Sequence, residues 1–401
     1  MRKSRSNGSS SIGFIALLLP IAIVGVMLYL FPIRPLPDPG GQYKVGVRYY
    51  ELVGIQQDYH AIDSEMFTTR FMANVWYPAS SVERRSRQPW LKDAEILFEA
   101  LASFYDVHTA LLEHTKSVKS NSYERAVPHI EDTPYPVILI SPGFPSHVSL
   151  HLAYTEYLVS RGYVVVGVEH PVAAVAVVFP DGEVIYHQPD FALLLSEDED
   201  FDEGVRTAML YLSDDISRTI DFLEHLNNGT IDSELQGMLD LSRIGLIGHS
   251  GGAGVVVHNA TVEPRVRAVF AFDAALFAFS AEDLENGFAI PALLIQTEEW
   301  LTHDYFGGYD AVIRDSSVKP LILDIDGAKH RDFAMLDFIS PLAPVLDFTS
   351  GFMRRNGHLF TRDLLLAFFD SAFKDGSTEL LFDLADTRKD TRLTIAGADS
   401  P

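Results

Sequence analysis

Arg243-Ile-Gly-Leu-Ile-Gly-His-Ser250-Gly-Gly-Ala-Gly-Val-Val-Val257 is the stretch on which the fold turns. Arg243–Ile247 is a short apolar run of the kind that forms a strand buried on both faces. A helical run begins at Gly251. Between them, Gly248-His249-Ser250-Gly251-Gly252 places a serine on a tight turn, with small residues two positions before it and two after it. Strand, sharp turn and helix are the context a nucleophile elbow requires. Small flanking residues let the strand and helix approach without a clash. The turn lifts the hydroxyl out of the sheet and puts the Gly251 N–H at a helix N-terminus, where negative charge is stabilised. A phosphate-binding loop is excluded, because no Gly-Lys-Ser/Thr follows and the dinucleotide glycine spacing is missing.

A serine hydroxyl needs a base, and the base needs an orienting acid. Of the 14 histidines, His330 stands in Asp326-Gly-Ala-Lys-His330-Arg-Asp-Phe333, just beyond the apolar run Pro320–Ile325. Loops at the carboxyl ends of buried strands carry functional groups in α/β sheets. His303 and His358 also follow the serine, but neither directly follows a buried strand. His249 neighbours Ser250, and its side chain is expected to point away, into the base of the elbow. Two places suit the acid. Asp273 ends Val269-Phe-Ala-Phe-Asp273, the strand after the elbow, while Glu298 and Glu299 end the next one. Asp324 and Asp326 read as turn residues. A second oxyanion donor belongs in the loop after an earlier strand. Ile140-Ser-Pro-Gly-Phe-Pro145 supplies one, with Phe144 as the N–H donor and Gly143 permitting close approach.

Further out, Tyr135–Ile140, Tyr163–Val168, Arg267–Phe272 and Pro291–Ile295 are apolar runs like Arg243–Ile247 and Pro320–Ile325. Helical stretches alternate with them at 149–160, 203–226, 251–259 and 361–373. This alternation predicts a mostly parallel sheet with helices on both sides. Gln42–Val53 and Thr68–Tyr77 read as early strands. Residues 82–131 read as a helical insertion, with Leu97, Leu101, Phe104 and Leu111 at helical spacing, packed on the core or forming a lipid-facing flap. Residues 35–401 are thus expected to form one catalytic domain.

The chain has 401 residues, with 47% hydrophobic and 21% charged, which suits a globular fold with a sizeable core. A net charge of -24 argues against nucleic acid as a partner. The absence of cysteine removes disulfides, thiol nucleophiles and thiolate metal sites. No cofactor and no metal site is expected. Glu197-Asp-Glu-Asp-Phe-Asp-Glu203 opens like a calcium loop, but Gly204 falls one place late and Met209 stands where a bidentate Glu belongs.

Residues 1–34 read as a separate segment. Arg2, Lys3 and Arg5 precede an uncharged stretch, Ile12–Phe31, of 20 residues. That is long enough to cross a bilayer as a helix. The stretch is longer than an ordinary signal peptide core and lacks a small-residue cleavage pattern. A signal-anchor is expected, with a cleaved signal peptide as the alternative. Either leaves the remaining chain extracytoplasmic, membrane-anchored or secreted.

An ordered set of motifs over roughly 40–375 resembles the secreted platelet-activating-factor acetylhydrolase family and its bacterial relatives, which are α/β-hydrolases. Asn74-Val-Trp-Tyr-Pro78 resembles the family's early strand, and Ser141-Pro-Gly-Phe144 its Ser-His-Gly-Leu oxyanion loop. Gly167-Val-Glu-His170 resembles its Val-Glu-His strand end, and Ala271-Phe-Asp-Ala274 its Leu-Asp-Ala acid strand. Lys329-His-Arg-Asp-Phe333 resembles its His-Gln-Asn-Phe segment. The resemblance implies Ser250 as nucleophile, Asp273 rather than Glu298 as acid, His330 as base, and Phe144 and Gly251 as oxyanion donors. It also implies a phospholipid substrate with a short or oxidised acyl chain. Pro142 in place of the loop histidine, and one residue fewer after Ser250, leave the acyl preference open. A broad carboxylesterase or polyester hydrolase on the same residues is the alternative. An inactive membrane-anchored binding protein is the alternative from a different class.

Overall fold

The computed structural model describes residues 9–33, 35–53, 70–131, 133–171, 173–188, 201–302 and 308–397. The strands are β1 Lys44–Val53, β2 Arg70–Ser81, β3 Arg87–Pro89, β4 Lys119–Glu124, β5 Val127–Pro128, β6 Tyr135–Ser141 and β7 Val164–Glu169. They continue with β8 Ala176–Val178, β9 Val184–Tyr186, β10 Leu239–His249, β11 Val266–Phe272, β12 Ala292–Thr297, β13 Leu321–Ile325 and β14 Thr391–Ile395. The helices are α1 Ser9–Leu30, α2 Ala94–Phe104, α3 Leu152–Val159, α4 Phe201–Asn227 and α5 Gly251–Val262. After them come α6 Glu298–Leu301, α7 Tyr309–Asp315, α8 Gly351–Arg354, α9 Gly357–Phe373 and α10 Glu379–Asp386.

Twelve strands form one sheet in the order β14-β13-β12-β11-β10-β6-β7-β2-β1-β4-β3, with β5 paired to β2. The run from β7 through β6, β10, β11 and β12 to β13 is parallel. Antiparallel β2 and β14 border it on either side. Alternate residues of each strand face opposite sides of the sheet. Val137 and Leu139 of β6 thus join one core layer with α4 and α5, while Ile138 and Ile140 join another with α2, α3 and α9. Both faces are covered, which explains why these strands read as unbroken apolar runs.

The parallel register brings the functional ends of the strands together. Gly248 of β10 pairs with Ser141 of β6 on one side and Ala271 of β11 on the other. The residues that follow these strands therefore emerge along one edge of the sheet.

Residues 82–131 differ from the helical insertion expected of them. They contain one α-helix, α2, together with two 3₁₀ turns and the strands β3, β4 and β5. β4 runs parallel beside β1, so this segment extends the sheet edge. Its apolar residues are split between the helix and the polar-rich Lys119–Glu124 strand, which has no helical period to read. Leu97 and Leu101 of α2 are buried, while Phe104 is exposed.

Among the described residues, no helix is long and apolar enough to cross a membrane. The backbone of α1 is helical over Ser9–Leu30. Of the expected span Ile12–Phe31, the side chains up to Leu19 lie outside the described residues, as do Arg2, Lys3, Arg5 and Arg34.

Candidate active site

β10 ends at His249 and α5 begins at Gly251, so Ser250 occupies a turn of a single residue. Its backbone sits at φ 55° and ψ −122°. A side-chain-bearing residue rarely adopts such angles, and their cost is retained only where the surroundings impose them. The surroundings here are tight. A Cβ on Gly248 would lie 2.5 Å from Ala253 Cα, and one on Gly252 would lie 2.2 Å from the Pro142 carbonyl oxygen. The Ser250 N–H donates to Phe272 O at 2.9 Å, and Ser250 O accepts from Ala275 N at 3.1 Å. The elbow is thereby tied to the end of β11.

Asp273 follows β11 with φ 45° and is fully buried. Its carboxylate accepts from Thr297 N and Thr297 Oγ1, both at 2.8 Å. Asp273 Oδ2 also faces His330 Nδ1 at 3.0 Å. A carboxylate only accepts, so this bond fixes the proton on Nδ1 and leaves Nε2 with a free lone pair. His330 begins the 3₁₀ turn His330–Ala334, three residues beyond Gly327, which has φ 67°. Its ring stacks on Trp300, with centroids 4.5 Å apart and planes 12° apart.

Ser250 and His330 both line a cleft of about 440 Å³ with Gly143, Phe144, Trp300 and Arg331. No hydrogen bond joins Ser250 Oγ to His330 among the described residues. Bonds of this kind are commonly loose until substrate is bound. Phe144 lies beside the elbow, since a Cβ on Gly251 would fall 2.3 Å from its ring. The Phe144 N–H has no acceptor among the described residues. The Gly251 N–H belongs to the first turn of α5, where N–H groups lack intrahelical acceptors. The structure therefore gathers Ser250, Asp273, His330, Phe144 and Gly251 at one end of the sheet.

The later-strand carboxylates do something else. Glu298 Oε2 accepts from Gly327 N, and Glu299 Oε2 accepts from His330 N, each at 2.7 Å. Both hold the backbone of the histidine loop, and it is Asp273 that faces the imidazole. Asp332 holds the same loop from the other side, accepting from Lys329 N at 2.9 Å and Ser350 N at 2.7 Å. His358, on α9, packs against Phe338, apart from the cleft lining. His303 lies outside the described residues, as do Glu197–Asp200 of the acidic run. Among the described residues no group of three or more His, Asp or Glu is disposed to hold a metal ion.

The family model described as "Platelet-activating factor acetylhydrolase, isoform II" matches residues 31–351. The chain belongs to this family. Two curated proteins named "Platelet-activating factor acetylhydrolase" are similar to it. The Gallus gallus protein is 23% identical over 288 residues, covering 63% of this chain and 65% of that one. The Cavia porcellus protein is 23% identical over 216 residues, covering 51% of this chain and 49% of that one. The chain thus spans about two thirds or less of the curated relatives it matches. A solved ferulic acid esterase from Streptomyces cinnamoneus superposes with a TM-score of 0.71 at 20% identity, covering 90% of this chain and 99% of that one. That likeness establishes the fold.

Within this acetylhydrolase-family member, two histidines take parts that the sequence did not reveal. His249 does not turn away into the base of the elbow. Its ring lies 4.6 Å from that of His330, and its Nε2 donates to the His330 carbonyl oxygen at 2.8 Å. Burial first, then the neighbouring His330 and His151, hold its pKa well below the usual histidine value. It therefore stays neutral and sets no positive charge against a developing imidazolium. His170, fully buried, spans from Ser141 Oγ (3.0 Å) at Nε2 to Asp215 Oδ2 (2.9 Å) at Nδ1. Its ring meets that of Phe144 edge-on at 5.8 Å. This chain supports the loop bearing the Phe144 N–H. Asp215 lies on α4, far from both partners in sequence, so no local spacing points to it.

Proposed function

We propose that this protein is a serine esterase acting on carboxylic esters through Ser250, His330 and Asp273. The observation that carries the reading is the coincidence on one cleft of a strained serine elbow and His330, whose Nδ1 is backed by the buried Asp273 carboxylate. In this reading Ser250 Oγ attacks the ester carbonyl and His330 Nε2 takes its proton. The resulting imidazolium is stabilised by the Asp273 carboxylate, which also fixes the tautomer. The tetrahedral oxyanion is received by the Phe144 and Gly251 N–H groups, at the positive end of α5. His330 then passes its proton to the leaving alcohol, which departs and leaves an acyl-Ser250 ester. Water, deprotonated by the same imidazole, releases the acid.

Family membership favours a phospholipid ester with a short or oxidised acyl group. The cleft agrees in character, with Phe104, Phe144 and Trp300 offering apolar contact and Arg331 offering a cation. A hydrolysis profile over acyl chain lengths, with and without a phosphocholine head group, tests this substrate class. Preference for the acetyl ester bearing the head group is the expected result. Equal rates without the head group would make the protein a broad carboxylesterase. We further propose that residues 1–34 deliver the domain across a membrane, as an anchor or a cleaved signal, so that it works outside the cytoplasm.

A further inference from the structure

Behind the catalytic cleft lies a second cavity of about 80 Å³, walled by Leu101, Leu112, Leu336, Ala343, Leu346 and Phe348 among others. Its one hydroxyl-bearing wall residue besides tyrosine, Ser340, is already engaged, donating to Leu30 O at 2.7 Å. The chamber therefore offers hydrocarbon contact and no polar anchor. Tyr105 is the only residue found in both linings among the described residues. It stands just past the C-terminus of α2, with its N–H bonded to Leu101 O at 2.9 Å. Its ring meets Phe104, on the cleft side, edge-on at 5.0 Å. It meets Phe348, on the chamber side, edge-on at 5.8 Å. An aromatic ring so wedged is a wall between a reactive centre and an apolar space.

We propose that Tyr105 sets the upper limit on the hydrocarbon chain this enzyme accepts, by closing the cleft off from the chamber. The proposal rests on the esterase reading above and deepens it. Removing the ring joins the two spaces, and each methylene that enters the chamber adds about 0.8 kcal/mol of apolar burial. Two methylenes then suffice for about a tenfold gain on longer esters. Leu346 is 53% exposed, so a charge can be placed at that wall without disturbing the core.

The test is the ratio of kcat/KM for octanoyl over acetyl p-nitrophenyl esters, repeated with octyl over ethyl acetate. In Tyr105→Ala the ratio should rise at least tenfold in one of the two series, and that series identifies the side of the ester that the wall confines. Tyr105→Phe should keep the ratio within threefold of wild type, since the ring and not the hydroxyl forms the wall. Adding Leu346→Asp to Tyr105→Ala should abolish the gain. Tyr105→Leu carries the same test if the alanine variant melts early. An unchanged ratio in both series, or a gain that survives Leu346→Asp, overturns the proposal. If that happens while acetyl ester is still hydrolysed and Ser250 still reacts with a fluorophosphonate, the esterase reading stands alone. Loss of both activities in the wild-type protein overturns both.

Discussion

Asp273 and Glu298 both suit an orienting acid by position in the sequence, and their side-chain partners separate them. Asp273 faces His330 Nδ1, whereas Glu298 holds the backbone of Gly327. Asp273→Asn is expected to lower kcat by about 10³–10⁴-fold, through loss of charge and of tautomer control. Glu298→Gln should cost less than tenfold, because the amide oxygen can still accept from Gly327. Steady-state kinetics on a short acyl ester checks the ranking, and the reverse order would move the acid to β12. The placement of Ser250 and Asp273 was legible because each directly follows a buried strand, and that of His330 because its loop lies just beyond β13. His249 was misread because periodicity gives a side chain's face and not its partner. Its contact with His330 joins residues 81 apart, which no local pattern encodes.

The elbow depends on close backbone approach between β10, α5 and the loop after β6. Gly252→Ala would drive a methyl group to 2.3 Å from Ser141 O and 2.2 Å from Pro142 O, and backbone atoms cannot swing aside. The variant is expected to lose activity by more than a hundredfold and to melt earlier, measured by hydrolysis and thermal unfolding. The loop itself is held by Ser141, His170 and Asp215. His170→Phe leaves the buried Ser141 hydroxyl and the half-buried Asp215 carboxylate without their partner and frees the Phe144 N–H from its position. A loss of kcat approaching 10²-fold is expected, the scale of one oxyanion donor, with KM changed less than kcat. Equal changes in both would argue for a general loosening instead. The buried strands were legible as elements because apolar runs between turn residues leave little choice. The insertion was not, because β4 gains its partner from β1, more than 70 residues earlier.

Glu156 links this insertion to the body of the molecule. From α3 it accepts from Asn121 N at 2.6 Å, Asn121 Nδ2 at 2.9 Å and Ser122 Oγ at 2.7 Å, all on β4. Burial pushes its carboxyl up to about 7, against the pull of those hydrogen bonds. The folded state thus holds the proton more tightly than the unfolded chain. That contribution to stability is fully present below the ordinary glutamate value, about 4.3, and is lost as pH rises through about 7. Tm is therefore expected to fall between pH 5 and pH 8, and Glu156→Gln should flatten that fall. An equally steep fall in the variant would assign the effect to other groups. At the other end, a chain beginning near Asp38 is expected to be soluble and active, while the full-length chain fractionates with membranes. Recovery of a mature protein lacking residues 1–31 would identify a cleaved signal instead.

The most direct test of the esterase reading is to react the wild-type protein with a fluorophosphonate and map the modified residue by peptide mass. Ser141 is an internal comparison, because it is hydrogen-bonded to His170, which in turn meets Asp215, yet it is fully buried and its hydroxyl is engaged. The account predicts a single adduct on Ser250, absent from Ser250→Ala, with hydrolysis lost in step with labelling. An adduct on another serine, or ester hydrolysis that persists within tenfold in Ser250→Ala, would contradict it.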